Sequence, residues 1–293
     1  MKLRKKLGFK GTNIEPYWNL IKRIIHESDI VLEILDARLI DLSRNEEVEK
    51  IIQEKKRPFI FVVNKFDLVN KKDVIEKINE LKKVAPVIYV SKNNRKSIHI
   101  LLHTIKKIFK KYGKRYPAVK EKEESKKRFR EAKADIVVGV LGYPNVGKSS
   151  IINSLCHKRK VTVSKKAGTT HGIHWIRLDD KIKLIDSPGV IPLKKEDEIR
   201  YGLIGAKDIE TLKNPDLVAD AIIKYAIQKN KKSFEKFYKI KIDDFMKCDI
   251  IDTRELILKI AKNRNFLLKG AIPDENRAIS LIIRDWQQGR LRL

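Results

Sequence analysis

The stretch that decides the fold is Gly142-Tyr-Pro-Asn-Val-Gly147-Lys148-Ser149, which fits the P-loop pattern G-x-x-x-x-G-K-[ST]. The apolar residues 136–141 before it are typical of a strand, and residues 150–156 after it have a helical pattern. Glycines let such a loop fold around phosphate oxygens, so that its backbone amides donate to them. We therefore expect phosphate contacts from Pro144, Asn145, Val146, Gly147, Lys148, Ser149 and Ser150.

Two side chains of this loop carry specific chemistry. Lys148 is expected to place a positive charge on the β- and γ-phosphates, which makes it a candidate catalytic residue. The Ser149 hydroxyl is a hard oxygen ligand of the kind that Mg²⁺ prefers. The loop therefore predicts a nucleotide bound with Mg²⁺.

A second motif, Lys183-Leu-Ile-Asp186-Ser-Pro-Gly189, is a strand ending in D-x-x-G. Asp186 is expected to hold Mg²⁺ through water, while the Gly189 amide approaches the γ-phosphate because no side chain intervenes. Between the two motifs, Thr170 is preferred over Thr169 as a second hydroxyl ligand of Mg²⁺ in a loop that senses the γ-phosphate. Thr170 and Gly189 are therefore candidate catalytic residues beside Lys148.

A third motif, Asn64-Lys65-Phe66-Asp67, follows an apolar strand and fits N-K-x-D. The Asp67 carboxylate can accept hydrogen bonds from N1–H and the 2-amino group of guanine, two donors that adenine lacks. Lys65 can lay its stem over the base plane. The motif therefore favours GTP and GDP over ATP. Further contacts to the base edge are expected from Ser91, Lys92 and Asn93.

Short apolar runs separated by helical patterns predict an α/β fold with a mostly parallel sheet. Ligands of such sheets bind at the carboxyl ends of the strands. The strand runs are residues 29–36, 58–64, 84–91, 135–142 and 181–186. The helical patterns include residues 74–83, 98–111 and 148–156.

The order of the motifs departs from ordinary small GTPases, because N-K-x-D precedes the P-loop. We predict a circularly permuted Ras-like P-loop GTPase domain, in which a new linker joins the original termini. Residues 104–133 carry 13 Lys and Arg against 4 Asp and Glu, and are expected to form this exposed linker.

Helical signals replace strand signals late in the chain, which predicts a GTPase domain over residues 1–212 and a helical, RNA-binding domain over residues 213–293. Asn214 followed by Pro215 marks a helix start, and the apolar periodicity continues to Ile227. Asp274 is expected to cap a final helix that ends near Gly289. Trp286 is interpreted as part of the core of that helix.

Composition indicates a polyanionic partner. The chain has 66 Lys and Arg against 38 Asp and Glu, a formal charge of +28. Neutralisation of phosphates by lysine and arginine favours RNA as the partner over an anionic membrane. The alternative, a lysine-rich surface that is merely solvated, remains. It applies notably to residues 224–241, which carry 7 Lys and 1 Glu. Two cysteines, no apolar run of membrane-spanning length and no apolar segment after the basic N-terminus favour the cytoplasm.

This motif order, with Asp36-Ala37-Arg38 after the first strand, resembles the circularly permuted GTPases of the YlqF/YawG family, which act in ribosome assembly. The tail 267–289, with its G…PD…RDW…G pattern, is similar to that family.

The resemblance implies binding to the large ribosomal subunit or its precursor and to rRNA. We expect a monomer. Val190 and Ile191 replace a catalytic glutamine, which implies slow basal turnover raised by the partner, and Asn145 matches a K⁺ ligand. Residues 15–18 lack the bacterial branch's proline-glycine-histidine motif, so no catalytic histidine transfers.

Alternatives remain at this point. The protein is either a factor in assembly of the large subunit or a GTP-dependent switch for a protein or membrane partner. A scaffold that binds GTP without hydrolysing it is less consistent with the full set of motifs. Asp36 and Arg38 form either a structural ion pair or a switch-coupled one.

Overall fold

The computed structural model describes residues 15–91, 94–113, 136–156, 163–164, 174–186, 198–248 and 250–293. The strands within these ranges are β1 Ile30–Asp36, β2 Phe59–Asn64, β3 Val87–Tyr89, β4 Ile136–Leu141, β5 Val163–Ser164, β6 His174–Arg177, β7 Ile182–Asp186, β8 Met246–Lys247 and β9 Ile250–Ile251. The helices are α1 Glu15–Glu27, α2 Ile40–Ser43, α3 Glu46–Glu54, α4 Lys71–Val84, α5 Arg95–Tyr112, α6 Lys148–Cys156, α7 Glu198–Leu203, α8 Pro215–Tyr238, α9 Thr253–Asn263 and α10 Glu275–Gln287.

The main sheet has the strand order β3-β2-β1-β4-β7-β6-β5 across the described residues. Strands β3, β2, β1, β4 and β7 are parallel to one another. Strand β6 is antiparallel to β7, and β5 is antiparallel to β6. The α/β fold with a mostly parallel sheet is therefore confirmed. Because β1 pairs with β4, the strand that precedes N-K-x-D and the strand that precedes the P-loop belong to one sheet, as the permuted order requires.

Alternation along the central strands divides the core between the two faces of the sheet. In β1, Ile30, Leu32 and Ile34 lie in one apolar cluster, whereas Val31 and Leu35 lie in the other. Both sets are fully buried, which explains why the strand is apolar on both faces, with Glu33 as a buried exception. Helices α1, α3 and α4 cover one face, and α5 and α6 cover the other.

The C-terminal helices share the core of the second face. Apolar residues of α8, α9 and α10 belong to the same cluster as those of β1 and β4. Trp286 of α10 is fully buried there, as the sequence predicted. Contacts of Arg38 with Trp286 and of Leu293 with Leu68 place the carboxyl ends of β1 and β2 close to the end of α10.

The helix starts near residue 214 and residue 274 are confirmed, with two differences at α8. The Asp274 side chain accepts from the Arg277 amide, and Gly289 adopts a left-handed φ of 67° just after α10. Asn214 precedes α8 but makes no side-chain cap, because its amide donates to Glu198 instead. Helix α8 also continues well beyond Ile227, with a kink at Asn230.

Two predictions of local structure are wrong. The run 84–91 is mostly not a strand, since α4 continues to Val84 and only residues 87–89 pair with β2. Pro86 explains the break, because the residue before a proline is driven out of the helical conformation. Residues 104–112 are not linker but the end of α5, where Leu101, Ile105 and Ile108 form a buried stripe at helical spacing. Residues 114–133 lie outside the described residues.

Candidate nucleotide-binding site

The P-loop joins β4 to α6 and folds around the amine of Lys148. Its Nζ donates to the backbone carbonyls of Gly142, at 2.8 Å, and Tyr143, at 2.7 Å. Burial lowers the pKa of Lys148 to about 8, although the nearby carboxylate of Asp186 acts in the opposite direction. The amine is thus a poorly solvated cation held beneath the loop, where a phosphate is a strong partner.

A contact with β2 fixes the shape of this loop. The Asn64 side chain is buried, and its Nδ2 donates to the Val146 carbonyl at 2.8 Å. Gly147 has a left-handed φ of 103°, and a Cβ there would lie 2.0 Å from the same Nδ2. Any side chain at residue 147 would therefore displace Asn64, so the second glycine of the motif is required by packing as well as by backbone conformation. The motif at the end of β2 thereby supports the motif after β4.

The loop presents polar groups to a cleft at the carboxyl ends of the strands. Ser149 and Ser150, at the start of α6, are exposed and line this cleft with Gly147. Asn145 has a left-handed φ of 59° and donates from Nδ2 to the carbonyl of Gly205. Pro144 is half-buried beside it, and Val146 is fully buried.

Asp186 ends β7 beside the P-loop strand, since Val140 of β4 pairs with it in register. The Ser149 hydroxyl and the Asp186 carboxylate together supply oxygen donors that suit Mg²⁺. Two residues predicted for the phosphate end, Thr170 and Gly189, lie outside the described residues. Lys92 and Asn93, predicted for the base edge, also lie outside them.

The N-K-x-D residues lie at the other end of the same cleft. Asp67 is exposed on a short 3₁₀ turn, Phe66–Leu68, directly after β2. The Phe66 ring stacks on the Tyr89 ring, with 4.8 Å between the ring centroids. The Phe66 amide donates to the Val90 carbonyl, so the turn is bonded to the segment that contains Ser91. This arrangement leaves the Asp67 carboxylate facing the cleft, where it can accept from donors of a base.

The cleft has a volume of about 730 Å³ and is lined by both motifs. We call the part around residues 147–150 its phosphate end and the part around Lys65, Asp67 and Leu68 its base end. A pocket of this size fits a nucleotide-sized ligand. The amine, hydroxyls and carboxylate that converge in it match a guanine nucleotide with phosphates at one end.

Comparison with known proteins agrees with this geometry. The sequence profile described as "50S ribosome-binding GTPase" matches residues 137–251. A GTP-binding protein of Methanocaldococcus jannaschii is 36% identical over 94% of this chain and 66% of its own length. The GTPase grn1 of Schizosaccharomyces pombe is 29% identical over 96% of this chain and 62% of its own. The chain thus spans slightly less than two thirds of the length of each of these relatives.

Among solved structures, the GDP-bound form of YlqF has a TM-score of 0.59 at 24% identity, covering 93% of this chain and 96% of that one. The GNP-bound form of YlqF from T. maritima has a TM-score of 0.57 at 21% identity, covering 94% of each chain. The chain therefore has the fold of YlqF, with N-K-x-D preceding the P-loop in its sequence.

The base end of the cleft is anchored by a buried charge cluster at Asp36. Lys65 has a left-handed φ of 59°, and its Nζ lies 2.7 Å from Asp36 Oδ2. The Arg38 guanidinium contacts both carboxylate oxygens, at 3.0 and 2.8 Å. Burial opposes the charge of Asp36, but Arg38 and Lys65 outweigh it and hold the pKa of Asp36 well below its usual range. The ion pair of Asp36 and Arg38 is therefore present, and the sequence missed its third member, Lys65.

Arg38 connects this cluster to the C-terminal helices. Its Nη1 donates to the Trp286 carbonyl at 2.6 Å, and its guanidinium stacks 4.2 Å above the Trp286 ring. The indole Nε1 in turn donates to the Leu203 carbonyl at 2.6 Å. Lys65, at the end of β2, is thus joined to α10 through Asp36 and Arg38.

The structure also brings residues into the cleft that sequence reasoning did not select. We call residues 287–293, which end α10 and follow it, the C-terminal segment. The only sequence signal for this segment was Gly289, which marked the end of a helix and not a wall of the nucleotide site. Residues of this segment and of α8 that line the cleft are Phe237, Gln287, Gln288, Gly289, Arg290 and Arg292.

Proposed function

We propose that this protein binds and hydrolyses GTP and acts as a factor in assembly of the large ribosomal subunit, binding rRNA or a pre-ribosomal particle in its GTP state. The observation that carries the nucleotide part is the single cleft that joins Lys148 and Ser149 to Lys65 and Asp67. A phosphate-binding loop and a guanine-selective carboxylate in one cleft favour a guanine nucleotide over other phosphorylated ligands.

The reaction is attack of water on the γ-phosphate. Lys148 is held beneath the loop, so its charge is in position before the transition state forms and needs no reorganisation. Ser149 and Asp186, with Thr170, are the proposed Mg²⁺ ligands, and the ion would neutralise charge on the phosphate oxygens. Gly189 is proposed to donate its amide to the γ-phosphate. Because Val190 and Ile191 offer no polar group to orient water, the basal rate is slow.

Asn145 is proposed as a K⁺ ligand. Its Nδ2 is committed to the Gly205 carbonyl, so its side-chain oxygen is the atom left to coordinate a cation near the phosphates. A monovalent cation there would supply positive charge in place of an arginine. Turnover that is faster in KCl than in NaCl at equal ionic strength supports this role, and equal rates contradict it.

The RNA-facing surface is proposed to lie on residues 213–293, with the second half of α8 as its centre. Lys232 and Lys236 are exposed at i, i+4 spacing and have no acidic partner among the described residues, so they share one basic face. Phe234 and Tyr238 of the same half of α8 are buried in the core, so their rings are not available to bases. The surface therefore suits phosphate contacts, which carry affinity without sequence specificity.

The description of the matching profile supports a ribosomal partner, because it names binding to the 50S ribosome. One further relative is the nuclear GTP-binding protein of Saccharomyces cerevisiae, 29% identical over 94% of this chain. Among the described residues, no helix has the length and apolarity needed to cross a membrane. A monomeric state and a cytoplasmic location stay predictions.

The test is GTP turnover in KCl with and without purified large ribosomal subunits, with Lys148→Met as the blank. We expect strong stimulation by large subunits and none by small subunits or bulk RNA. Tight GTP binding without stimulation would favour the alternative, a switch for a protein or membrane partner.

A paired variant tests the surface. Lys232→Glu with Lys236→Glu should reduce stimulation by large subunits, because each reversed charge repels rRNA phosphates. Lys259→Glu, an exposed lysine on α9, is the matched control. Equal stimulation of the two variants would contradict the assignment of α8.

A further inference from the structure

The C-terminal segment extends along the cleft from its phosphate end to its base end. At the phosphate end, Gln287 Nε2 donates to the Lys207 carbonyl at 3.2 Å, close to Gly205, which accepts from Asn145 of the P-loop. At the base end, the Leu293 amide donates to the Leu68 carbonyl at 2.8 Å. One short segment therefore touches the supports of both motifs.

The path of this segment is set by close packing against the base-recognition turn. Gly289 has a φ of 67°, and a Cβ there would lie 2.7 Å from Leu68 Cδ1. After this turn, the Arg290 amide donates to the Asp285 carbonyl, and the Arg290 guanidinium lies 3.1 Å from the Asp285 carboxylate. The backbone is thus fixed on both sides of Gly289, and the side chain of residue 292 is carried to the cleft.

Arg292 is the residue that gives this wall a chemical role. It is exposed, it has no acidic partner among the described residues, and it lines the same cleft as Ser149 and Ser150. The related arginine at residue 290 has its charge paired with Asp285. An unpaired guanidinium facing a phosphate-binding cleft is suited to a hydrogen bond with an anionic ligand.

Helix α8 supplies the neighbouring part of the wall. Its kink at Asn230 is stabilised by the Asn230 side chain, which accepts from the Ser233 amide at 3.0 Å. The Ser233 hydroxyl then donates to the Arg292 carbonyl at 2.8 Å, and Phe237 lines the cleft one turn later. The half of α8 that bears Lys232 and Lys236 is therefore bonded to the segment that walls the nucleotide cleft.

We propose that Arg292 and Phe237 are part of the guanine-nucleotide site, and that bound nucleotide fixes the C-terminal segment and the second half of α8 against the base end. This inference rests on the proposed function, since it takes the occupant of the cleft to be GTP or GDP. It links nucleotide occupancy to the basic face of α8 through one bonded wall.

The first test measures the affinities of the wild-type protein and its variants for a fluorescent GDP analogue and for GTP. Arg292→Ala should weaken binding about 10-fold, the equivalent of about 1.4 kcal/mol. Lys259→Ala on α9 removes the same charge away from the cleft and should bind as the wild-type protein does. Phe237→Ala should weaken binding more than Phe237→Leu, because leucine retains apolar contact with the ligand. Thermal unfolding of each variant confirms that it is folded.

The second test is amide hydrogen exchange of the wild-type protein with and without GDP. Binding should slow exchange in residues 287–293 and 231–238 and leave α9 unchanged. Equal affinities of Arg292→Ala and Lys259→Ala, together with unchanged exchange in residues 287–293, would overturn the inference. A wild-type protein that binds neither GDP nor GTP would overturn the proposed function as well, whereas turnover insensitive to ribosomal subunits would overturn only the function.

Discussion

The two ends of the nucleotide cleft are built in different ways. The phosphate end consists of consecutive residues, and its buried cation donates to carbonyls five and six residues before it. The base end is assembled from three distant parts of the chain, around Asp36, Lys65 and Leu293. One end is therefore built around a single loop that is braced by Asn64 of β2, and the other exists only after remote parts of the chain have come together.

This difference teaches where regulation can act. The phosphate loop is held by its own strand and helix and by Asn64 of β2, and these contacts involve no residue of the C-terminal helices. The base end, in contrast, depends on Arg38 and its contacts with Trp286 of α10. Displacement of the C-terminal helices would therefore change base recognition before it changed the phosphate loop.

The largest expected effect is at the base end, in Asp67→Asn. An asparagine offers one acceptor and one donor in place of two acceptors, so a guanine donor is left facing an NH₂ group. GTP affinity should fall by up to about 10⁴-fold. Xanthine carries an acceptor where guanine has its amino group, so the variant should turn over XTP faster than GTP. Steady-state turnover of both nucleotides measures this change of preference from GTP to XTP. An undiminished preference for GTP would show that Asp67 does not contact the base.

The next effect is on stability, in Asp36→Asn. The substitution leaves Arg38 and Lys65 without their shared carboxylate, and breaking a buried pair costs about 3–5 kcal/mol. Urea unfolding should show this loss. Asp41→Asn is the control, since the Asp41 side chain is 63% exposed and its pair with Lys77 is worth about 0–1 kcal/mol. Equal stabilities of the two variants would mean that the cluster is not needed for the base end.

At the phosphate end, Lys148→Met should lower GTP turnover by about 10²–10³-fold, because it removes a preorganised charge from the reacting phosphate. Its effect on unfolding should be small, since the two lost hydrogen bonds are offset by removal of a poorly solvated cation. Phosphate release and thermal unfolding measured on the same sample separate the two effects. A variant that unfolds far below the wild-type temperature would assign Lys148 a mainly structural role.

The smallest effect concerns a carboxyl group in the sheet beneath the phosphate end. Burial raises the pKa of Glu33 to about 8, with a further contribution from the charge of Glu49. The folded state therefore favours the protonated form, and this stabilisation is complete below the unfolded pKa near 4.5 and is lost as the pH rises through 8. In Glu33→Gln this contribution is absent.

The stability of the wild-type protein relative to Glu33→Gln should thus fall by up to about 1.4 kcal/mol per pH unit between pH 5.5 and 7.5. Chemical unfolding at several pH values measures this slope. Parallel pH curves for the two proteins would show that Glu33 does not change its protonation on folding.

The same contrast explains how much of the molecule could be predicted from sequence. The strand runs 29–36 and 181–186 differ from β1 and β7 by one residue, because strands covered on both faces are rich in apolar residues. The P-loop was predicted in place because its geometry depends on neighbouring residues. Strand β3 was overestimated, since the apolar residues before Pro86 belong to a helix.

The unpredicted part of the site depends on contacts between remote residues. Phe237 and Arg292 have no motif of their own, and nothing in their local sequence indicates that they line a cleft with Ser149. Lys65 was expected to cover the base plane, but its ion pair with Asp36 depends on the parallel register of β1 and β2, in which Asp36 lies opposite Asn64. Such partners follow from topology and not from spacing along the chain.

The pairing of β1 with β4 also has a consequence during synthesis. The Asp29 carboxylate accepts from the amide of Val137, 108 residues later, so the central edge of β1 has no strand partner until β4 leaves the ribosome. Closing a loop of that length costs on the order of 4 kcal/mol in chain entropy. The guanine-recognition strand is made before the phosphate loop, so nucleotide cannot stabilise the growing chain until the central pair has formed. The permuted order of the motifs thus delays nucleotide-assisted folding until the phosphate loop has been synthesised.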